Sequence, residues 1–340
     1  MMTTLFTTRI TSTSIAWPAR RWFATVLATA ALGLAAPAHA AWPEQPIRIV
    51  VPSGAGGSAD AVARMVGERL GKVMGQPFVI ENKGGGGGNI AAEVVSRAAP
   101  DGYTLLLTGN NHTINVSLFA KPPYKLEDFA PVIELTRGPS VFVAATNAPF
   151  TTLRELITKA KAAPGTIAYG GPGIGLPSHI AFELFQRETQ INLIHVPYKG
   201  SGPSLADALG GQIPLVSSTL AAAMPNIKSG KLKALAVTSA ERWPSLPDVP
   251  TAAEILGPSA TPYSHLTWLG ILAPKATPPG IVSRLNSEIN KVLKDPEFKL
   301  KLEAMGTNPV GGTTTSFQKS LDEEFLSSRA LIQSAKLRAD

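Results

Sequence analysis

Apolar residues in this chain fall into short runs, and run after run ends in a glycine-rich or polar loop followed by a helical pattern. The first run, Ile47–Val51, leads through Pro52-Ser53-Gly54-Ala55-Gly56-Gly57 into a helix predicted from about Ser58 to Met74. Pro77–Glu81 reads as a second strand. It is closed by Asn82-Lys83 and five successive glycines, Gly84–Gly88, with a helix predicted over Asn89–Ala98. Tyr103–Thr108 is a third strand that runs into the polar loop Gly109-Asn110-Asn111-His112. Strands alternating with helices predict a mainly parallel sheet with helices on its faces, and such sheets bind ligands at the carboxyl ends of their strands.

Pro131–Ala145 is a long apolar run that carries the chain into a second body. A helix over Thr152–Ala162, with Thr151 as its cap, is followed by a strand at Thr166–Tyr169, the loop Gly170–Pro177 and a helix opening at Ser178-His179. Asn192–Val196 then ends in Pro197-Tyr198-Lys199-Gly200, ahead of a helix near Ser204–Leu209. Lys233–Thr238 reads as another strand, and Leu266–Leu272 as one returning to the first body. Helices over Pro279–Lys294 and Thr315–Ala335 finish the chain. The expected organisation is α/β in two lobes, residues 41–143 plus 266–340 in one and residues 144–265 in the other.

Residues 1–40 break from this pattern. They hold three arginines and no acid, an apolar run from Trp22 to about Ala36, and then Ala38-His39-Ala40. That is the layout of a cleavable export signal, cut after Ala40. Arg20-Arg21-Trp22-Phe23 leaves both the general secretory and the twin-arginine routes open. Without residues 1–40 the net charge drops from +7 to +4, and aromatic residues are only 6 % of the chain, which argues against a nucleic-acid surface. There is no cysteine, hence no disulfide, no lipid-modified cysteine and no thiolate metal site. No later apolar stretch reaches membrane-spanning length, so a soluble periplasmic protein without direct membrane insertion is expected.

The loop Gly54-Ala55-Gly56-Gly57-Ser58-Ala59 aims backbone N–H groups, with the positive end of a helix dipole, above a strand. This is an anion cradle. Gly170–Pro177 repeats the device, and two such turns facing each other could grip one small anion in a closing cleft. The same loop also fits G-x-G-x-x-[GA], with Glu81 at the next strand end, so the alternative is an exported NAD(P)-dependent oxidoreductase. Against it stand Asp60, whose carboxylate in the first helical turn repels a pyrophosphate, and Pro52, which breaks the strand. His112, His179, His195 and His265 show no metal-ligand spacing, and no G-x-S-x-G elbow or P-loop is present, so no metal, cofactor or catalytic residue is expected. The pentaglycine reads either as a flexible linker or as a tight turn beside the cleft. Lys199 reads as a cation for a carboxylate or as a solvated side chain, and Tyr198 as a hydrogen-bond donor or an apolar wall.

Several ordered motifs carry a resemblance. They are W-P-E-Q-P-I-R-I-V-V-P at Trp42–Pro52, G-G-S-A-D at Gly56–Asp60, E-N-K-G-G-G-G-G-N at Glu81–Asn89 and A-P-D-G-Y-T-L at Ala99–Leu105. V-P-Y-K-G at Val196–Gly200, L-P-D-V-P-T-A-A-E at Leu246–Glu254 and A-P-K-A-T-P-P at Ala273–Pro279 complete the set. With these the chain resembles the exported substrate-binding receptors of tripartite tricarboxylate transporters, often called Bug receptors. The resemblance implies a two-lobed fold of the type II periplasmic-binding-protein kind, each lobe a mainly parallel sheet flanked by helices, without catalysis. It implies a monomer that holds a small carboxylate between its lobes and meets membrane transporter subunits transiently; a sensor role would use the same pocket.

The loops matching the family's pocket are Ser53–Asp60, Gly171–His179 and Pro197–Gly200. The candidate ligand-binding residues are therefore Ser53, Gly54, Gly56, Gly57, Ser58, Asp60, Asn110, Gly173, Ser178, His179, Pro197, Tyr198, Lys199 and Gly200. Gly56, Gly57 and Ser58 are assigned to one carboxylate, and Asp60 to orienting the loop or meeting a ligand donor. Asn110, Ser178, His179 and Tyr198 are the side-chain candidates for the rest of the ligand. Three positions depart from the family's pattern: Ala55, Leu176 and Pro214. Leu176 replaces a hydroxyl with apolar bulk and points to a less polar ligand tail.

Overall fold

In the computed structural model, residues 7–9, 11, 42–173, 176–257 and 264–335 are described. The expected export signal and its cut site lie outside the described residues, apart from 7–9 and 11. The strands, in chain order, are β1 (Ile47–Val51), β2 (Phe78–Asn82), β3 (Thr104–Gly109), β4 (Phe129–Ala145), β5 (Ala168–Gly171), β6 (Ile194–Pro197), β7 (Leu215–Thr219), β8 (Leu232–Val237), β9 (Leu266–Pro274) and β10 (Asn308–Pro309). The helices are α1 (Ser58–Met74), α2 (Asn89–Ser96), α3 (Asn111–Leu118), α4 (Leu153–Ala162), α5 (Pro177–Thr189), α6 (Ser201–Leu209), α7 (Leu220–Lys228), α8 (Ala252–Leu256), α9 (Pro279–Lys294), α10 (Pro296–Ala304) and α11 (Thr314–Ala335).

Two parallel triplets, β2-β1-β3 and β7-β5-β6, flank an antiparallel pair, β9 and β4. The expectation of mainly parallel sheets thus holds for the triplets, while every pairing made by β4 and β9 is antiparallel. β4 belongs to both halves. Its Phe129–Pro139 segment pairs with β9, and its Ser140–Ala145 segment pairs with β7 and β8. The partners change at Pro139–Ser140, where Pro139 has no N–H to offer a ladder. Ser140 instead gives its N–H to Thr238 Oγ1 at 2.9 Å.

Helix α1 shows how local sequence sets the architecture. Val62, Val66, Leu70 and Met74 recur at four-residue spacing and are buried, so they form the core-facing stripe. Gly67 lets the helix lie close on β2, since a Cβ there would stand 3.1 Å from Phe78 Cβ. Gly75, with φ 75°, ends the helix by donating its N–H to the Gly71 carbonyl. The cap of α4 is Thr152 rather than the expected Thr151. Thr152 Oγ1 accepts the Glu155 N–H at 3.1 Å, while Thr151 donates its own N–H to Glu155 Oε2 at 2.7 Å.

The buried residues form separate clusters. One gathers Val50, Leu106, Trp268, Phe317 and Leu321; another gathers Phe142, Tyr169, Phe182, Phe185 and Ile332. Helix α11 therefore has its early residues in one cluster and Ile332 in the other. The pentaglycine is a tight turn and not a linker: Gly85, Gly86, Gly87 and Gly88 all have positive φ, which side-chain-bearing residues rarely adopt. Among the described residues, no helix is long and apolar enough to cross a membrane.

Candidate functional site

Strands β1, β3, β5, β6 and β7 each lead, at their carboxyl ends, into a helix, and five helix starts line one cavity. Gly57, Ser58 and Ala59 come from α1, Asn111 from α3, Pro177 and Ser178 from α5, Gly200 and Ser201 from α6, and Thr219 and Ala221 from α7. The first N–H groups of a helix have no intrahelical partner, and the dipole makes that end positive. The wall also includes Leu176 before α5, Thr136, Gly138 and Pro139 of β4, Thr267, Trp268 and Leu269 of β9, and Gly306-Thr307 ahead of β10. The cavity measures about 80 Å³, several times the roughly 10–15 Å³ that one water needs. None of the described lining residues carries a charge.

Three of the lining hydroxyls are held by other hydroxyls. Thr219 Oγ1 donates to Ser58 Oγ at 2.9 Å, and the Ser140 and Ser178 hydroxyls lie 2.9 Å apart. Ser53 Oγ is different. It is buried, lines the cavity and has no hydrogen-bond partner, which is costly unless a water or ligand supplies one.

The first glycine turn is shaped by Asp60. Its Oδ2 accepts the Gly56 N–H at 3.1 Å and its Oδ1 pairs with Arg64 at 2.9 Å. Burial pushes this carboxyl up, but the Arg64 guanidinium, the Gly56 N–H and the Asn82 amide together hold it below the ordinary carboxylate range. Asp60 thus orients the loop and does not line the cavity. Gly54 is also spoken for, because it donates to the Lys199 carbonyl at 3.0 Å and ties the two halves together. A Cβ on Gly54 would meet that carbonyl at 3.0 Å, so the approach requires glycine. Of the first-turn candidates, Ser53, Gly57 and Ser58 reach the cavity; Gly54, Gly56 and Asp60 do not.

Elsewhere the structure brings Ser178 and Gly200 to the cavity and leaves the other candidates off its wall. Asn110 faces away: its amide donates to the Leu266 carbonyl at 3.1 Å and to Glu324, and its carbonyl accepts the Trp268 N–H at 3.0 Å. Tyr198 donates its hydroxyl to Asp207 at 2.6 Å, and burial with that carboxylate pushes the phenol up to about 12. Lys199 and Pro197 are exposed, and Gly173 lies beside the Tyr198 carbonyl. His179 stacks at a tilt on His195, ring centroids 4.4 Å apart, and burial lowers both imidazoles to about 4. Glu81, which a dinucleotide would need on its ribose, is paired with Arg48 and with Lys83, each at 2.9 Å.

The cavity residues that the sequence pattern did not single out come from α7, β9, β4 and the Gly306-Thr307 bend. The one legible signal among them is Thr219, whose hydroxyl caps α7 by accepting the Ala222 N–H. The family model described as "Tripartite tricarboxylate transporter family receptor" matches residues 62–337. The chain belongs to this receptor family. The expected α/β periplasmic-binding-protein fold is matched by solved receptors. The periplasmic binding protein BugD is 33 % identical, with a TM-score of 0.83 and coverage of 87 % of this chain and 99 % of that one. Rpa4515 of R. palustris, solved with adipate, is 34 % identical at TM-score 0.83, again covering 87 % and 99 %. MatC (Rpa3494) of Rhodopseudomonas palustris, solved with malate, is 30 % identical at TM-score 0.81 and covers 86 % and 100 %. As a tripartite tricarboxylate transporter receptor, this chain is a solute-binding protein.

Proposed function

We propose that this receptor works in the periplasm, captures a small carboxylate-bearing metabolite between its two halves, and delivers it unchanged to the membrane subunits of a tripartite transporter. The observation that carries this reading is the convergence of five helix N-termini on a cavity whose described lining residues carry no charge. Such a cavity neutralises an anion with fixed backbone dipoles and bridging water, without an arginine that would restrict geometry. The Ser53 hydroxyl, buried and unpartnered, is the natural additional donor. Adipate in Rpa4515 and malate in MatC support the ligand class. Nothing around the cavity pairs a nucleophile with a base among its described lining residues, which supports binding without chemistry.

Binding is coupled to closure. The Gly54–Lys199 and Thr219–Ser58 hydrogen bonds cross between the halves, so a ligand that favours this arrangement gains affinity from contacts it does not touch. The test is a thermal-shift series on the exported protein with adipate, malate, monocarboxylates, tricarboxylates and NAD(P)H. A carboxylate at 100 times its Kd adds about 2.7 kcal/mol of stability and raises the melting temperature. A response to NAD(P)H and to no acid would reverse the reading in favour of the oxidoreductase.

A further inference from the structure

We propose that Glu324, on the C-terminal helix and outside the cavity, is a positioning residue that fixes the Trp268 wall of the ligand site. The inference rests on reading the cavity as that site. Glu324 Oε2 accepts the Trp268 indole N–H at 2.7 Å and the Thr113 hydroxyl at 2.8 Å, while Oε1 accepts from the Asn110 amide. Asn110 in turn holds the Trp268 backbone N–H through its side-chain carbonyl. Trp268 is thereby held at both its backbone and its indole. Trp268 is buried and lines the cavity together with its neighbours Thr267 and Leu269.

Charge and shape both make this carboxylate hard to replace. The indole N–H and the Asn110 amide can only donate, and an ionised carboxylate is acceptor-only, so these two bonds need no proton on Glu324, while the Thr113 hydroxyl is shared with the Asn110 backbone carbonyl at 2.9 Å. A glutamine has the same size but sets an NH2 against at least one of those donors. Glu324 is half-buried, and the desolvation of its carboxyl raises its pKa against the opposing pull of the hydrogen bonds and Arg137. On its other edge the Trp268 ring meets Phe317 of the same helix at 5.4 Å and 83°, so α11 contacts the indole twice. Helix α11 supplies none of the described lining residues, and of the three partners of Glu324 only Trp268 is itself on the wall.

The experiment compares wild type, Glu324→Gln, Trp268→Phe and the double variant, with adipate as probe. Adipate affinity is measured by calorimetry and indole N–H exchange by NMR, the Trp268 signal being the one lost in Trp268→Phe. Glu324→Gln is expected to speed exchange of that indole N–H at least tenfold and to weaken adipate binding about tenfold. In the Trp268→Phe background the same substitution should change adipate affinity less than twofold, because its route to the ligand has been removed. Equal effects in both backgrounds would make Glu324 merely structural and overturn the proposal, as would unchanged exchange in Glu324→Gln. If Glu324→Gln does not fold, Thr113→Val removes one donor from the same carboxylate and is read by the same two measurements. If wild type takes up neither adipate nor any other acid of the series, the site reading fails, and the indole exchange still decides whether Glu324 holds Trp268.

Discussion

The two glycine-rich turns of this receptor look alike as strings of letters and differ in what their glycines are for. In the first, a Cβ on Gly56 would meet nothing within 4 Å, and one on Gly57 only ordinary contacts at 3.5 and 3.6 Å. Of the two, Gly57 borders the cavity, while Gly56 is exposed and its positive φ of 81° favours glycine. In the second, a Cβ on Gly170 would stand 2.4 Å from Ile213 Cδ1, and one on Gly171 2.5 Å from His195 Nε2. Those glycines make room for neighbouring side chains. The helix that follows begins with Pro177, which has no N–H, behind Leu176, a cap without a side-chain acceptor. The second turn is therefore the weaker cradle by this count of N–H groups, and the starts of α6 and α7 also line the cavity on that side.

Four experiments bear on this contrast. The largest effect is expected for Gly57→Val. Its extended φ of −80° suits valine, so stability stays within about 0.5 kcal/mol of wild type. The methyl groups fill the cavity, and adipate affinity falls at least about 100-fold, or about 2.7 kcal/mol, by calorimetry. Next comes Gly171→Ala, which has the opposite signature. The His195 ring is packed between Tyr169 and His179 and cannot give way, so a urea melt should show a loss of about 1–3 kcal/mol. Its adipate affinity, once folded, should change less than about threefold. If Gly171→Ala instead abolishes binding at unchanged stability, the two turns are equivalent and the contrast falls.

The third test uses pH. Burial lowers His179 and His195 from 6.5 to about 4. A depressed imidazole contributes stability that is complete above the unfolded value and is lost as pH falls from 6.5 towards 4, because the unfolded chain takes up the proton first. The slope is at most about 1.4 kcal/mol per pH unit for buried His179, and His179→Gln should flatten the melting-temperature profile in that window. The smallest effect is expected for Leu176→Ser. A serine at this N-cap can accept a helix N–H, adding about 0.5–1 kcal/mol, while acids with an apolar body lose affinity relative to malate.

Much of the architecture could be read from the chain because strand, glycine turn and helix recur in order. Strands β1, β2, β3, β5 and β6 and helices α1, α2, α4, α9 and α11 follow from that rhythm and from helix stripes such as Val62, Val66, Leu70 and Met74. Helix α3 was hidden, since Gly109-Asn110-Asn111-His112, at its start, reads as a polar loop. It is helical because its polar groups find buried partners: Asn115 donates to the Gly87 carbonyl and to Asn89, and the His112 carbonyl accepts from Tyr124. Strand β7 and helix α7 were masked by Ser217-Ser218-Thr219 and by Pro225 inside the helix. Helix α10 carries a signal that pattern reading passed over, Asp295-Pro296, where Asp295 accepts the Phe298 N–H at 2.8 Å.

The cavity was legible where it is made of consecutive turn residues. Gly57, Ser58, Ser178 and Gly200 lie at helix starts that announce themselves, and Ser53 in the turn that follows β1. Thr136, Gly138, Pro139 and Thr267–Leu269 belong to crossing strands, whose sequence says that they are buried but not what they face. Asn110 illustrates the limit from the other direction. A polar residue at the end of a strand looks like a ligand group, and here its whole hydrogen-bonding capacity goes to Leu266, Trp268 and Glu324.

Because one uninterrupted 17-residue strand is a rib of both sheets, this receptor has no seam along which it can be divided. A chimaera that exchanges residues 144–265 between paralogues would inherit the terminus of a rib grown in a different frame, with Ser140–Val143 paired to a foreign β7. Transplanting specificity should therefore keep the rib with its ladder partners and graft only the loops at the carboxyl ends of the strands.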